Sequence, residues 1–146
     1  MTLSKLMPLS QIQILATDFD KEVLVKARKG FYTPRHLRNL PKRFQDQFMV
    51  PTEGGFIVKD ELKRCITFKQ HNLLKDPYPV GMDLIVCRNV LIYFTEEAKK
   101  EIYTNFNRSL TNEGILFVGS TEQIMMCQDF GLEPKKIFFY KKSKKS

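Results

Sequence analysis

Short β-rich runs that alternate with helix-forming segments predict an α/β fold, with a mostly parallel sheet and an antiparallel finish. Three observations carry this. Ile12–Thr17 (IQILAT) is followed by an acid-capped helical stretch, Met82–Val86 (MDLIV) is followed by a longer one, and a last apolar run, Ile137–Tyr140 (IFFY), comes just after Pro134.

The first run stops at Asp18, Phe19 and Asp20, and Asp20 is placed to cap a helix from Lys21 to about Lys29 that Gly30 would close. Between Pro34 and Phe48 the apolar residues Leu37, Leu40, Phe44 and Phe48 recur at helical spacing, and Pro41 divides them into two short pieces. Gly54 and Gly55 introduce Phe56–Val58, and a second run, Cys65–Phe68, follows the charged stretch Lys59–Arg64. Together they predict an antiparallel hairpin over about 53–68. Asn72, Leu73 and Leu74 precede a Pro77/Pro79 turn into Met82–Val86, which is expected to be a buried strand. Thr95, Glu96 and Glu97 make a helix start, and the stripe Ala98, Ile102, Phe106, Leu110 predicts a crossover helix ending before Asn112 and Gly114. Gly114–Gly119 is the next strand, with Ser120–Glu122 at its carboxyl end. Ile137–Tyr140 is expected to pair with residues near Phe130–Leu132 across a turn at Pro134.

With 146 residues the chain suits one domain, over 1–141, followed by a basic disordered tail, 142–146. No apolar run approaches the roughly 20 residues that cross a bilayer. Met1–Ser10 lacks the pattern of a secretory signal, so a cytoplasmic location is expected. Cys65, Cys87 and Cys127 have no metal-site spacing; they are expected to be reduced and at least partly buried, with no metal bound. The net charge is +8, but Val23–Gln45 and Lys135–Ser146 hold thirteen of the 24 basic residues and none of the 16 acids. The rest of the chain carries −5. An acidic partner fits such surfaces. Phosphate would fit too, yet no nucleic-acid motif accompanies the charge, and nucleic acid is not the expected partner.

Polar residues at strand ends mark the candidate chemistry, because open α/β sheets place ligands at their carboxyl edge. Asp18 suits a ribose, whose two hydroxyls an ionised carboxylate can accept; it also suits a turn with Asp20. Arg88 and Asn89 directly after Met82–Val86 suit a ligand site or a solvated surface turn. The seven glycines include no GxG, and neither a phosphate loop nor a GxSxG elbow occurs, which argues against phosphoryl transfer and serine hydrolysis. His36 and His71 have no spaced partner and are expected to be surface or structural residues. Met125 and Met126 are expected to fill core.

The order ILATDFD (14–20), LP (40–41), a GG-introduced hairpin, NLL (72–74), CRNVLIYF (87–94), EGILFVGSTE (113–122) and a final FFYKK resembles the C-terminal part of CheR-family chemotaxis receptor methyltransferases. The likeness runs from Ile12 almost to the end. It implies an incomplete Rossmann-like sheet that binds S-adenosylmethionine, releases S-adenosylhomocysteine, and esterifies glutamate side chains on the cytoplasmic part of chemoreceptors. By that likeness Asp18 holds the ribose, Asn72 and Leu73 border the adenosyl group, Cys87 and Arg88 continue the pocket wall with Asn89 beside them, and Tyr93 lies near the transferring methyl. The hairpin region would dock a receptor tail. The family's N-terminal helical domain and first glycine-rich strand-turn have no counterpart here, so a fragment or truncated form is expected. The second expectation is a non-catalytic docking protein that meets acidic receptor helices through the hairpin and the basic Lys26–Arg43 surface.

Overall fold

A computed structural model of the chain describes residues 1–119 and 122–143. It has two compact units, Met1–Asn72 and Leu73 onward.

In the first unit, strand β1 (Ile14–Asp18) pairs in parallel with β5 (Ile66–Gln70), with Asp18 opposite Gln70. Helix α1 (Lys21–Lys29) lies between them in sequence. The Asp20 carboxylate accepts the Glu22 and Val23 backbone N–H groups at 2.7 and 3.4 Å, and Gly30 closes the helix in the left-handed region at φ 66°. Glu22 at its start and Lys26, Arg28 and Lys29 at its end match the helix dipole. Three short strands, β2 (Phe31–Tyr32), β3 (Met49–Thr52) and β4 (Gly55–Val58), form an antiparallel sheet in the order β2-β4-β3. Helices α2 (Lys42–Phe48), which begins directly after Pro41, and α3 (Asp60–Lys63) complete the unit. Leu37, Phe44, Phe48, Met49, Val58 and Leu62 make its core.

The hairpin expected over 53–68 is therefore paired differently. Gly54, at φ 74°, lets the chain turn so that Thr52 faces Gly55, which joins β4 to β3 rather than to Cys65–Phe68. The charged stretch in between folds as α3, with Asp60 and Glu61 in its first turn, and delivers β5 to the parallel sheet.

The second unit is a four-stranded sheet in the order β6-β7-β9-β8, from β6 (Met82–Val86), β7 (Leu110–Phe117), β8 (Leu132–Lys136) and β9 (Phe139–Lys142). β6 and β7 are parallel and are linked by α4 (Glu96–Ser109), whose N-terminus Thr95 caps by accepting the Ala98 N–H. β9 is antiparallel to both neighbours. The turn before it is not at Pro134, which lies inside the edge strand β8. It is at Ile137 and Phe138, where Phe138 takes φ 65°. Registration sorts the side chains. Ile85, Leu116 and Tyr140 stand in one row within the core that α4 covers through Ile102 and Phe106. Leu84 and Ile115, and then Val86, Phe117 and Phe139, stand on the other face.

That other face overturns one expectation. β6 is not buried: Leu84 is 45% exposed and Val86 58%. An apolar strand becomes buried only where a second layer covers it, and among the described residues of this unit α4 packs on one face of the sheet. Met125 and Met126 are likewise exposed rather than core, whereas all three cysteines are buried and free. Ser120, Thr121 and most of the expected basic tail lie outside the described residues.

The two rows of side chains predict different costs of truncation. Leu116→Ala, at a fully buried position, should cost about 2–5 kcal/mol, while Leu84→Ala should cost less than about 0.5 kcal/mol. Urea denaturation followed by circular dichroism reads both, and equal losses would contradict the one-sided packing.

Candidate functional site

Parallel strands end on the same side of a sheet, so the residues just beyond each of them collect along one edge. In the first unit this joins Asp18 to the segment that ends at Asn72. The His71 N–H donates to the Asp18 carbonyl at 2.9 Å, and the Gln70 side chain donates to the Phe19 carbonyl at 3.0 Å. The Asp18 Oδ1 accepts the Asp20 N–H at 2.8 Å, closing the turn before α1, and the carboxylate stands in solvent. His71 is buried and Asn72 half-buried.

In the second unit the edge is formed by the ends of β6 and β7. Cys87 is buried, and its N–H donates to the Phe117 carbonyl at 2.9 Å, extending the parallel ladder by one residue. Arg88 turns outward with its guanidinium 5.9 Å from the Phe117 ring centre, a cation–π contact. Its stem lies against Gly119, at φ 88°, where an added Cβ would come within 3.0 Å of the Arg88 Cγ. Asn89 takes the left-handed conformation at φ 55°, which sends the chain into the 3-10 turn Leu91–Tyr93. Leu91 is fully buried and anchors that turn, while Tyr93 is 83% exposed. Leu73 packs on the core of this unit, and its carbonyl accepts the Tyr78 hydroxyl at 2.7 Å.

Glu122, beyond the end of β7, is a further candidate to which the sequence pattern assigned no role. It is 9% exposed, and neither carboxylate oxygen has a hydrogen-bond partner among the described residues. Burial raises its pKa above the usual 4.5, an effect that Lys99 partly opposes. Burial first, and the Glu122 charge second, push the Cys87 thiol up to about 12, so it is a neutral wall and not a nucleophile. The same two influences raise Tyr103 to about 12. The signal in the sequence is the one that marked Arg88: a charged residue just beyond an apolar strand.

The polar inventory fits an adenosyl methyl donor in kind. An exposed carboxylate at one strand end suits ribose hydroxyls, and the neutral wall of Cys87 suits an apolar or aromatic surface. Among the described residues no group of three His, Cys, Asp or Glu side chains could hold a metal ion.

Comparison with known proteins decides the lineage. The family model described as "CheR methyltransferase, SAM binding domain" matches residues 1–138. The chain belongs to the CheR methyltransferase family. It is 41% identical over 130 residues to a chemotaxis protein methyltransferase of Listeria innocua serovar 6a, covering 89% of this chain and 50% of that protein. It is 41% identical over 116 residues to the chemotaxis protein methyltransferase of Escherichia coli K12, covering 75% of this chain and 41% of that one. The CheR-family chain thus spans about half the length of the curated relatives it matches. Among solved structures it resembles a TehB-like SAM-dependent methyltransferase from Corynebacterium glutamicum, with TM-score 0.50 and 15% identity over 89% of this chain and 66% of that one, a likeness of fold.

Glu122 makes stability depend on pH. Its folded-state pKa is raised, so its contribution is complete below the unfolded value near 4.5 and is lost as pH rises through the folded value. Glu122→Gln cannot ionise and removes that loss. Relative to the native chain the variant should therefore gain stability between pH 4 and pH 7, read as the difference in urea midpoints. An unchanged difference at the two pH values would show the carboxyl to be solvated.

Proposed function

We propose that this chain carries the C-terminal part of the methyl-donor site of an enzyme that esterifies glutamate side chains of chemoreceptors, using S-adenosylmethionine. The observation that supports this is the collection of polar residues at the carboxyl ends of parallel strands: Asp18 and Asn72 in one unit, Cys87, Arg88 and Asn89 in the other. Asp18 accepts the ribose hydroxyls through the oxygen that the Asp20 N–H leaves available. Asn72 and Leu73 border the adenosyl group, and the neutral Cys87 thiol, Arg88 and Asn89 extend the wall. S-Adenosylhomocysteine is the product that leaves.

The bound donor supplies a methyl group on a sulfonium that is already a good leaving group. A glutamate carboxylate is anionic at neutral pH, so no side chain here needs to act as a general base. What the protein adds is alignment and the removal of water. Tyr93 is the positioning hydroxyl. It lies outside the core and is open to an incoming side chain. The glutamate acceptor, the chemoreceptor partner and a cytoplasmic location rest on the family reading. Among the described residues no helix is long and apolar enough to cross a membrane.

One observation favours a second reading, a receptor-docking protein without catalysis. The seven basic residues between Lys26 and Arg43 are all exposed. Beside them a cavity of about 330 Å³ is lined by Tyr32, His36, Leu37, Leu40, Met49 and Val58. A receptor tail with an apolar side chain amid acids matches that pairing. Replacing Arg35, Arg38, Lys42 and Arg43 together by alanine would abolish receptor binding under this reading and leave it intact under the first.

Isothermal titration of the chain with S-adenosylhomocysteine tests the main proposal. Asp18→Ala should weaken binding by about tenfold or more, the worth of a charge-assisted hydrogen bond. Tyr93→Phe should leave that affinity within about twofold while lowering methyl incorporation into a receptor fragment. No heat at high protein concentration would remove the donor site from this chain.

A further inference from the structure

The segment that leads from Leu73 into β6 reads KDPYPV over 75–80, with a proline on each side of Tyr78. Proline fixes its own φ and keeps the residue before it out of the helical region, so Pro77 and Pro79 narrow the backbone around Tyr78. Its side chain is held at both ends. The ring stands edge-on to Phe106 of α4, with centres 5.7 Å apart. The hydroxyl donates to the Leu73 carbonyl at 2.7 Å, and the Asn105 side chain, from the same helix, is hydrogen-bonded to it. Burial first, and the nearness of Cys87 and Glu101 second, push the hydroxyl above its usual pKa of 10.0. It therefore keeps its proton, and its bond to Leu73, well into the alkaline range. All of these residues belong to the unit that begins at Leu73.

We propose that Tyr78 is a positioning residue of the donor site: it carries the rigidity of α4 to Leu73 and so sets the backbone that borders the adenosyl group. This role rests on the methyl-donor reading and adds to it a support that acts through Leu73. A bond from residue 78 back to residue 73 closes the loop between them, and its anchor on α4 fixes where the loop starts. A wall already in place binds more tightly than one that must be ordered by the ligand. Phenylalanine at this position keeps the ring against Phe106 and gives up both hydrogen bonds of the hydroxyl. The Leu73 carbonyl then loses its hold on the helix, and the loop has more than one place to rest.

Isothermal titration of the full chain with S-adenosylhomocysteine and with adenosine tests it, beside urea denaturation of each variant. Tyr78→Phe should weaken both ligands by the same factor, about tenfold, because they share the adenosyl group. Asn105→Ala removes only the helix's bond to the hydroxyl and should weaken both about threefold; it reads the same contact should Tyr78→Phe fail to fold. Ile102→Val, a loss of packing at a fully buried position of the same helix, should lower the urea midpoint and leave both affinities within about twofold. That contrast separates positioning from a general loss of stability. Affinities unchanged in Tyr78→Phe would overturn the proposal. So would a loss that falls on S-adenosylhomocysteine and spares adenosine, since the altered contact would then lie at the other end of the ligand, or an equal loss in Ile102→Val. A native chain that binds neither ligand removes the donor site itself and this role with it, an outcome distinct from a native chain and a Tyr78→Phe variant that bind alike.

Discussion

The parallel pairing of β6 with β7 is the constraint on which the second unit depends. It requires a crossover, and α4 supplies one whose buried residues Ile102, Tyr103 and Phe106 pack with Leu116, Val118 and Tyr140. Because both strands then run the same way, the residues after Val86 and after Phe117 must emerge on one side. The Cys87 N–H on the Phe117 carbonyl and Arg88 against Gly119 join those two exits. The neutral Cys87, the buried Glu122 and the solvent-facing Tyr93 are therefore consequences of strand direction before they are features of a site. The first unit repeats the logic in smaller form, with Asp18 tied to the exit of β5 through its own carbonyl.

Local rules were legible wherever the deciding contacts are close in sequence. Asp20, Gly30, Pro41 and Thr95 bound helices because capping and proline act within one turn of the chain. The longer strands were legible too, but β2 and β3 were not, and neither was partnership. Cys65–Phe68 and Phe56–Val58 have the composition of a hairpin, and nothing within them reveals that Gly54 has already committed β4 to β3. Asp18, Asn72, Arg88 and Asn89 could be read as polar residues that follow apolar runs, whereas Cys87 and Tyr93 were singled out only through the resemblance to the family. The burial of Glu122 could not be read, since the groups it is electrostatically coupled to, Cys87, Lys99 and Tyr103, lie more than fifteen positions away in sequence.

Burial is where inference from composition failed most clearly, and the reason is physical. Apolarity states what a residue would gain from a covering layer; it does not supply the layer. The row Ile85, Leu116, Tyr140 has α4 above it and is core, while the row Val86, Phe117, Phe139 alternates with it on the same strands and is left open. Stacking of Phe117 on Phe139 and the guanidinium of Arg88 cover part of that open row.

The division of parallel strands between two sheets reflects the same shortage of partners. β1 pairs with β5 and β6 pairs with β7, and among the described residues no strand hydrogen-bonds to both pairs. A doubly wound sheet gains its cooperativity from central strands that have neighbours on both sides; here β1 and β6 each have one. Such edges carry unpaired backbone groups beside apolar side chains, so their free energy falls when any extended segment of suitable register is added.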